Sequence, residues 1–389
     1  MNTWTKQKLG DVIEIYNGKA IKAELFGSFP VYGSNGKIGF TSEFKYSNAI
    51  ILGRVGAYCG SVMIEKGKFW ASDNTIIIKN NNAANFGYIY YLLKNLNLNQ
   101  YAGGAAQPLI THNLLKQISI KIPNIQTQAC ISSIISSYDD LIENNEKRIK
   151  TLEEMAQLLY AEWFVRFKFP SYEKIKMIDS ETEYGKIPEN WKVKKLSEVI
   201  SFVRGCSYAS KEINDHTGDY YIVNLKSFNR GGGFRFDGTK YYSGKISNNQ
   251  ILKAGDIVVA VTDMTNDRVV IARPARVPDI IGKITFSADV VKINSSILPN
   301  SFVYELLSSY RFTETTKQKA NGANVLHLKP TAILEFIALI PDNKSLKTFD
   351  IYCKPTIDEV DKLLKQNDIL TKTRDLLIPQ LVNGKRELK

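Results

Sequence analysis

The chain has 389 residues, 44% hydrophobic and 23% charged, which suits two or three folded domains with real cores. No apolar run reaches the roughly 18 residues that a membrane-spanning helix needs. The 51 Lys and Arg against 39 Asp and Glu leave a formal charge of +12, a balance that points to a polyanionic partner, most often nucleic acid. The first residues, MNTWTKQKLGDVIEIY, carry no apolar signal segment. Cys59, Cys130, Cys206 and Cys353 are isolated in sequence, with neither metal-type pairs nor a disulfide framework. Both features lead to the expectation of a cytoplasmic protein.

Taken in order, residues 1–128 read as a globule of short strands, with candidates at Ala49–Leu52, Thr75–Lys79 and Ile118–Ile122 and a short helix at Tyr88–Leu96. Residues 129–168 read as one long amphipathic helix, because Ile131, Ile134, Ile135, Tyr138, Leu141, Ile149, Leu152 and Leu159 recur at three- and four-residue steps. Residues 169–190 are polar, contain Pro170, Gly185 and Pro188, and read as a linker. Residues 191–345 form a second globule, with strands expected at Ile257–Val261, Val269–Ala272 and Val290–Ile293 and a helix at Phe302–Tyr310. Residues 346–389 repeat the helical pattern through Tyr352, Val360, Leu363, Leu370 and Leu377.

These parts form a repeat. Trp4, Leu9, Val12, Ile13 and Gly18 match Trp191, Leu196, Val199, Ile200 and Gly205 at an offset of 187. Ala49–Gly53 stands opposite the run from Asp256 at an offset near 207. Gly104-Ala105, Ile122-Pro123, Asp140, Lys147, Leu152 and Leu158-Leu159 recur 218 residues later, without a gap through the helix. The second copy therefore carries 31 extra residues, all before its helix. A helix of about 35 residues is roughly 50 Å long. A linker of about 20 residues would be nearly used up in returning along it at about 3.3 Å per residue. The expected fold is α+β: two mixed globules in pseudo-twofold arrangement, joined by two long antiparallel coiled-coil helices. Their interface is expected at Ile134, Tyr138, Leu141, Leu152 and Leu159 against Tyr352, Val360, Leu363, Leu370 and Leu377, with Asn145 fixing the register.

No catalytic or metal-binding residues are expected. His112, His216 and His327 have no metal-ligand spacing, and no P-loop, dinucleotide fingerprint or nucleophile elbow is present. A nuclease could be assembled only from distant residues, Pro278-Asp279 with Asp342-Asn343-Lys344. A coiled-coil scaffold without DNA is a further alternative. Candidate DNA contacts in the first globule are Lys19, Lys22, Tyr32, Ser34, Asn35, Lys37, Arg54, Tyr58, Asn74 and Gln107. In the second they are Arg204, Lys226, Asn229, Arg230, Arg235, Thr262, Arg268, Asn324 and His327. Lys and Arg neutralise phosphates, while Asn, Gln and Arg make paired bonds to base edges.

The doubled order of motifs resembles the specificity subunit of type I restriction–modification enzymes. It rests on W-x-x-x-x-L-x-[DE]-V-I…G at Trp4 and Trp191, the latter preceded by Gly185-Lys186-Ile187-Pro188-Glu189-Asn190. Tyr32-Gly33-Ser34-Asn35-Gly36…Gly39, then Gly53-Arg54…Gly56, and the two Ile-Pro steps complete it. The resemblance covers essentially the whole chain. It implies two target recognition domains, each reading half of a split DNA sequence, and helices that set the gap and dock two methyltransferase subunits. Those partners would bind S-adenosylmethionine and methylate adenine N6, and a motor and nuclease subunit would use ATP and magnesium. This chain would hold no cofactor and no active site. The second globule has GGGFRF where the first has GSNGKIG, so the target would be asymmetric.

Overall fold

The computed structural model describes residues 4–103, 108–265 and 267–386. Gln107, Gly104 and Ala105 lie outside the described residues. The chain divides into two compact units, residues 1–143 with 369–389, and residues 144–368. The divisions fall inside the two long helices, so each unit contains part of both.

Unit 1 begins with β1 (Thr5–Lys8), β2 (Ile13–Asn17), β3 (Phe29–Gly33), β4 (Gly36–Thr41), β5 (Tyr46–Gly53), β6 (Val62–Ala71) and β7 (Thr75–Asn80). Next come α1 (Phe86–Asn95), α2 (His112–Gln117), β8 (Ser119–Ile122) and the first part of α3 (Ile125–Tyr160). One sheet has the strand order β2-β7-β5-β6-β3-β4. Ile50, Leu52, Ile76 and Ile78 pack on one face with Tyr88, Leu92, Ile131, Ile135, Ile378 and Leu381. Ala49, Ile51, Ile77 and Phe69 pack on the other face. The central strands β5 and β7 are buried on both faces, which is why residues 49–52 and 76–78 read as continuous apolar runs. Apart from this sheet, β1 pairs with β8 in antiparallel fashion, Thr5 opposite Ile122 and Lys8 opposite Ser119. Pro123 follows, and the Asn124 side chain accepts the Thr127 N–H at 2.9 Å, capping α3.

Unit 2 contains β9 (Met177–Asp179), β10 (Lys186–Pro188), β11 (Lys192–Lys195), β12 (Ser201–Arg204), β13 (Ile213–Asn214), β14 (Tyr220–Val223), β15 (Lys240–Tyr242), β16 (Ile257–Ala260) and β17 (Thr262–Asp263). It continues with β18 (Pro274–Arg276), β19 (Ile284–Phe286), β20 (Val290–Asn294), α4 (Asn300–Ser308), α5 (Tyr310–Lys317), β21 (Leu326–His327), α6 (Thr331–Leu334), β22 (Ile337–Ile340) and α7 (Asn343–Val382). The order β12-β20-β16-β18 repeats β2-β7-β5-β6. β11 pairs with β22 as β1 does with β8. Pro341 follows, and Asp342 accepts the N–H groups of Lys344 and Ser345 at 2.9 and 3.0 Å, capping α7. Most of the extra residues lie between β12 and β16, where the offset rises from 187 to 207. That stretch supplies β13, β14 and β15, which join β19 in a separate sheet.

Within each unit the two long helices run antiparallel. In unit 2, Asn145 is 3% exposed and donates to Gln366 Oε1 at 3.1 Å and Asn367 Oδ1 at 2.8 Å. Nearby, Ile149, Val360 and Leu363 form an apolar cluster with Leu152 and Leu364. Arg148 pairs with Glu359 at 3.0 Å. In unit 1, Arg374 reaches Asp139 at 2.6 Å, and Ile134 and Leu377 pack against the core. Tyr138 and Leu370 are half-buried, and Leu159 packs on the unit 2 core.

One member of the expected interface, Leu141, stands outside it at 48% exposed, while Tyr352, though 60% exposed, packs edge-on against the Trp163 ring at 5.8 Å. An apolar stripe written on a seven-residue spacing drifts about 20° per heptad around a 3.6-residue helix, which carries some of its members off the seam. Two further corrections follow. The segment expected as a linker is structured, because β9 pairs with β10 and Phe169 and Ile187 are buried, Phe169 lying 5.0 Å from the Trp191 ring. Val269–Ala272 is a turn and not a strand, because the Asp263 carboxylate takes the Val270 and Ile271 N–H groups that a ladder would need.

The repeat extends to single atoms. A methyl group on Gly18 would overlap the Ser72 carbonyl, and one on Gly205 would overlap the Ser287 carbonyl. Gly18→Ala and Gly205→Ala should therefore each destabilise their own unit by about 1–3 kcal/mol through overpacking. Chemical denaturation of each variant measures this, and a wild-type curve for either would contradict the matched packing.

Candidate nucleic-acid interface

In unit 1 the candidates meet where four turns converge. Ser34 and Asn35 form the two-residue turn between β3 and β4, with Gly33 opposite Gly36. Gly36 has φ +109°, a conformation that favours glycine. Ser34 Oγ donates to the Asn74 carbonyl at 2.6 Å, and the Arg54 N–H donates to the same oxygen at 2.9 Å. Ser61 Oγ donates to the Ser34 carbonyl at 2.6 Å, and the Ser61 N–H donates to the Tyr58 carbonyl at 3.1 Å. Lys19 joins them through its N–H on Ala71 O at 2.9 Å. Lys19, Asn35, Tyr58 and Asn74 have exposed side chains, while Ser34 and Arg54 are half-buried.

Three candidates are placed otherwise. Lys22 lies two residues from Glu24, which bridges to Phe40 of β4, and Lys37 Nζ sits 3.8 Å over the Phe40 ring. The Tyr32 hydroxyl donates to Glu65 at 2.6 Å, and burial followed by that bond raises its pKa. Tyr32 therefore supports the sheet and does not face a ligand freely. One neighbour was missed. His112, at the start of α2, has its pKa lowered by burial first, then by Arg54 and Lys116. Only tertiary proximity brings that imidazole beside Arg54 and Lys116.

Unit 2 builds the same ladder with other side chains. The Val261 N–H donates to Asp289 O at 2.8 Å, as Arg54 does to Asn74. The Leu328 N–H donates to Val261 O at 2.8 Å, as Ile110 does to Arg54 O at 3.0 Å. Thr262 bridges to His327 as Val55 bridges to Leu109. Asn321 and His327 exchange two backbone bonds, as Gly103 and Leu109 do. Arg54 is thus replaced by Val261, a match that the sequence offset of 207 already contained.

Of the unit 2 candidates, Arg268, His327, Asn324, Asn229 and Arg230 gather near this ladder. Arg268 Nη1 donates to Lys317 O at 3.4 Å, and exposed Asn324 lies in the turn closed by Asn321 and His327. Gly231, next to Arg230, donates its N–H to Val269 O at 3.0 Å, and Asn229 donates its own to Gly233 O at 3.0 Å. Thr262 is buried with its hydroxyl 3.4 Å from His327 Nδ1, so it braces the histidine. Arg235 makes a bidentate pair with Asp237 and is already engaged. Lys226 is exposed on another turn, and Arg204 is exposed at the end of β12.

The acids proposed for a nuclease are committed elsewhere. Asp279 pairs with Lys365 at 2.6 Å, while Asp342 caps α7 and accepts Trp191 Nε1–H at 3.1 Å. Among the described residues, no three His, Cys, Asp or Glu are grouped to hold a metal ion, and no helix is long and apolar enough to cross a membrane.

Residues 1–154 match the family model described as Type I restriction modification DNA specificity domain. That match defines the class of the amino-terminal part. The type I restriction enzyme MjaIX specificity subunit of Methanocaldococcus jannaschii is 27% identical over 314 residues, covering 76% of this chain and 68% of that one. The MjaVIII specificity subunit of the same organism is 23% identical over 415 aligned residues, covering 99% and 93%. The EcoprrI specificity subunit of Escherichia coli is 29% identical over 144 residues, covering 35% and 36%. The crystal structure of the type I restriction–modification S subunit from M. genitalium superposes with a TM-score of 0.58 at 15% identity, covering 100% and 97%, a likeness of fold. The chain is thus similar to type I restriction–modification specificity subunits, as its doubled motifs implied.

Where α3 meets α4, two acids are held out of water. Burial pushes Glu305 up to about 8; Gln157 lowers it, Glu153 raises it and Arg276 lowers it. Burial pushes Glu153 up to about 7. A carboxyl raised in the folded state favours folding most below its unfolded value of 4.5, and the contribution is lost as pH climbs through its folded value. The melting temperature of unit 2 should therefore fall between pH 4.5 and about 8, and Glu305→Gln should flatten that slope. Calorimetry across this range checks it, and an unchanged slope in the variant would contradict the burial of a neutral acid.

Proposed function

We propose that this chain is the non-catalytic DNA-recognition subunit of a type I restriction–modification complex, and that it reads a bipartite, asymmetric target on double-stranded DNA. Each unit acts as a target recognition domain for one half-site. The observation that carries this reading is the shared ladder with unlike side chains: Arg54, Asn74 and Tyr58 in unit 1, against Arg268, His327 and Arg230 in unit 2. The net charge of +12 suits a phosphate backbone.

In this reading the two antiparallel helices form a coiled-coil spacer. Two methyltransferase subunits dock on the helices, and restriction subunits join them in the cytoplasm. Leu158 and Leu376 support docking, since they match at the offset of 218 and both are exposed on the helices. S-adenosylmethionine would belong to the methyltransferases, and ATP and magnesium to the restriction subunits. This chain's residues bind and orient DNA so that a partner can extrude an adenine.

The test is methylome sequencing of cells that carry this chain and its partner subunits. The wild type should give one split motif with an unread gap. A heptad inserted into each helix, after Glu143 in α3 and before Ile369 in α7, adds about 10.5 Å of helix. The gap should lengthen by about three base pairs at about 3.4 Å each, with both half-sites unchanged. Altered half-sites with an unchanged gap would overturn the division of roles.

A further inference from the structure

The two units part company at one residue. After the shared pairs Arg54–Val55 and Val261–Thr262, the next position is Gly56 in unit 1 and Asp263 in unit 2. Gly56 takes φ +75°, the chain makes a single turn through Tyr58, and Gly60 donates its N–H back to Gly53 O at 2.8 Å. In unit 2 the matching backbone closure runs from Ala272 N–H to Ala260 O at 2.9 Å, and a side chain holds the longer loop above it. Asp263 is 2% exposed. Its Oδ1 accepts the Thr265 N–H at 2.9 Å and the Thr265 hydroxyl at 2.8 Å. Its Oδ2 accepts the N–H groups of Val270 at 2.8 Å and Ile271 at 3.2 Å. Four donors on one carboxylate brace the interior of that loop, and they favour the ionised form.

The loop anchors in the core at Ile271 and Ala272, both fully buried, and leaves its tip to solvent. It holds Met264 67% exposed and Arg268 at φ +52°. Arg268 rests on Lys317 O, and exposed His327 stands across the bridge from Thr262. Through Val269 O the loop also carries the Gly231 N–H, and with it Arg230. Arginine suits guanine O6 and N7, and an apolar side chain suits a thymine methyl. An exposed methionine and a strained arginine on a rigid brace are therefore fitted to base edges.

We propose that Asp263 is a positioning residue for half-site reading in unit 2. It fixes the loop that presents Met264 and Arg268 beside His327, and it replaces the glycine turn that presents Tyr58 in unit 1. The inference rests on the DNA-reading function above.

The experiment uses the full chain assembled with its methyltransferase subunits and duplexes that carry one substituted base in either half-site. Asp263→Asn keeps the shape but turns one acceptor atom into a donor facing N–H groups. It should lower discrimination at one half-site about tenfold and leave the other within about twofold. A wild-type melting curve for the variant complex separates this loss from a folding defect confined to unit 2. If Asp263→Asn melts early, Met264→Ala and Arg268→Ala, which keep all four Asp263 bonds, carry the test and should weaken that same half-site. A folded Asp263→Asn complex that discriminates at both half-sites like the wild type would overturn the proposal. So would Met264→Ala and Arg268→Ala complexes that discriminate normally. A wild-type complex without sequence preference would instead overturn the DNA-reading function itself.

Discussion

A four-residue antiparallel pairing fixes where each long helix leaves its globule. β1 meets β8 two residues before α3, and β11 meets β22 two residues before α7. The chain therefore enters and leaves each globule at one hydrogen-bonded point. An Ile-Pro step then ends the strand, and Asn124 or Asp342 caps the helix behind it. Length can change between entry and exit without moving the start of the helix. The 31 extra residues of the second copy illustrate this, since α3 and α7 keep one offset throughout.

What varies inside that closure is restricted by burial. The central strands are covered on both faces in both units, so their positions are held to apolar residues such as Ile50, Ile51 and Leu52, or Ile257, Val258 and Val259. Freedom is left to the turns at the strand ends. There the backbone ladder is repeated bond for bond, while Arg54 becomes Val261, Asn74 becomes Asp289 and Gly56 becomes Asp263. A constant backbone with exchangeable side chains is what a reader of variable sequences requires. The ladder also explains why single candidates such as Thr262 and Tyr32 are inward braces, while their neighbours face outward.

Much of this was legible in the sequence. The long helices follow from apolar spacing, and the repeat from Trp4 and Trp191, Gly18 and Gly205, and the two Ile-Pro steps. Asn145 as a register-setting residue was visible as a polar position on an apolar stripe. The missed features depend on contacts distant in sequence. Aromatic packing orders the supposed linker, where Phe169 and Phe164 meet Trp191 at 5.0 and 5.6 Å. The Val269–Ala272 run has strand composition, but a buried carboxylate takes its donors. Arg235 and Asp237 are two residues apart, yet no pattern announces that they pair. The family resemblance gave the division into two readers, but it could not say which turn residues stand on the ladder.

The central claim is that one folded plan, used twice, brings two different sets of side chains to two different stretches of DNA. Site-specific photocrosslinking tests it most directly, with a photoreactive residue placed at Tyr58 in one preparation and at His327 in another, each assembled with the methyltransferase subunits on target DNA. The account predicts crosslinks to two separate tracts, one for each position, with unlabelled bases between them. Crosslinks from both positions to the same tract would contradict it.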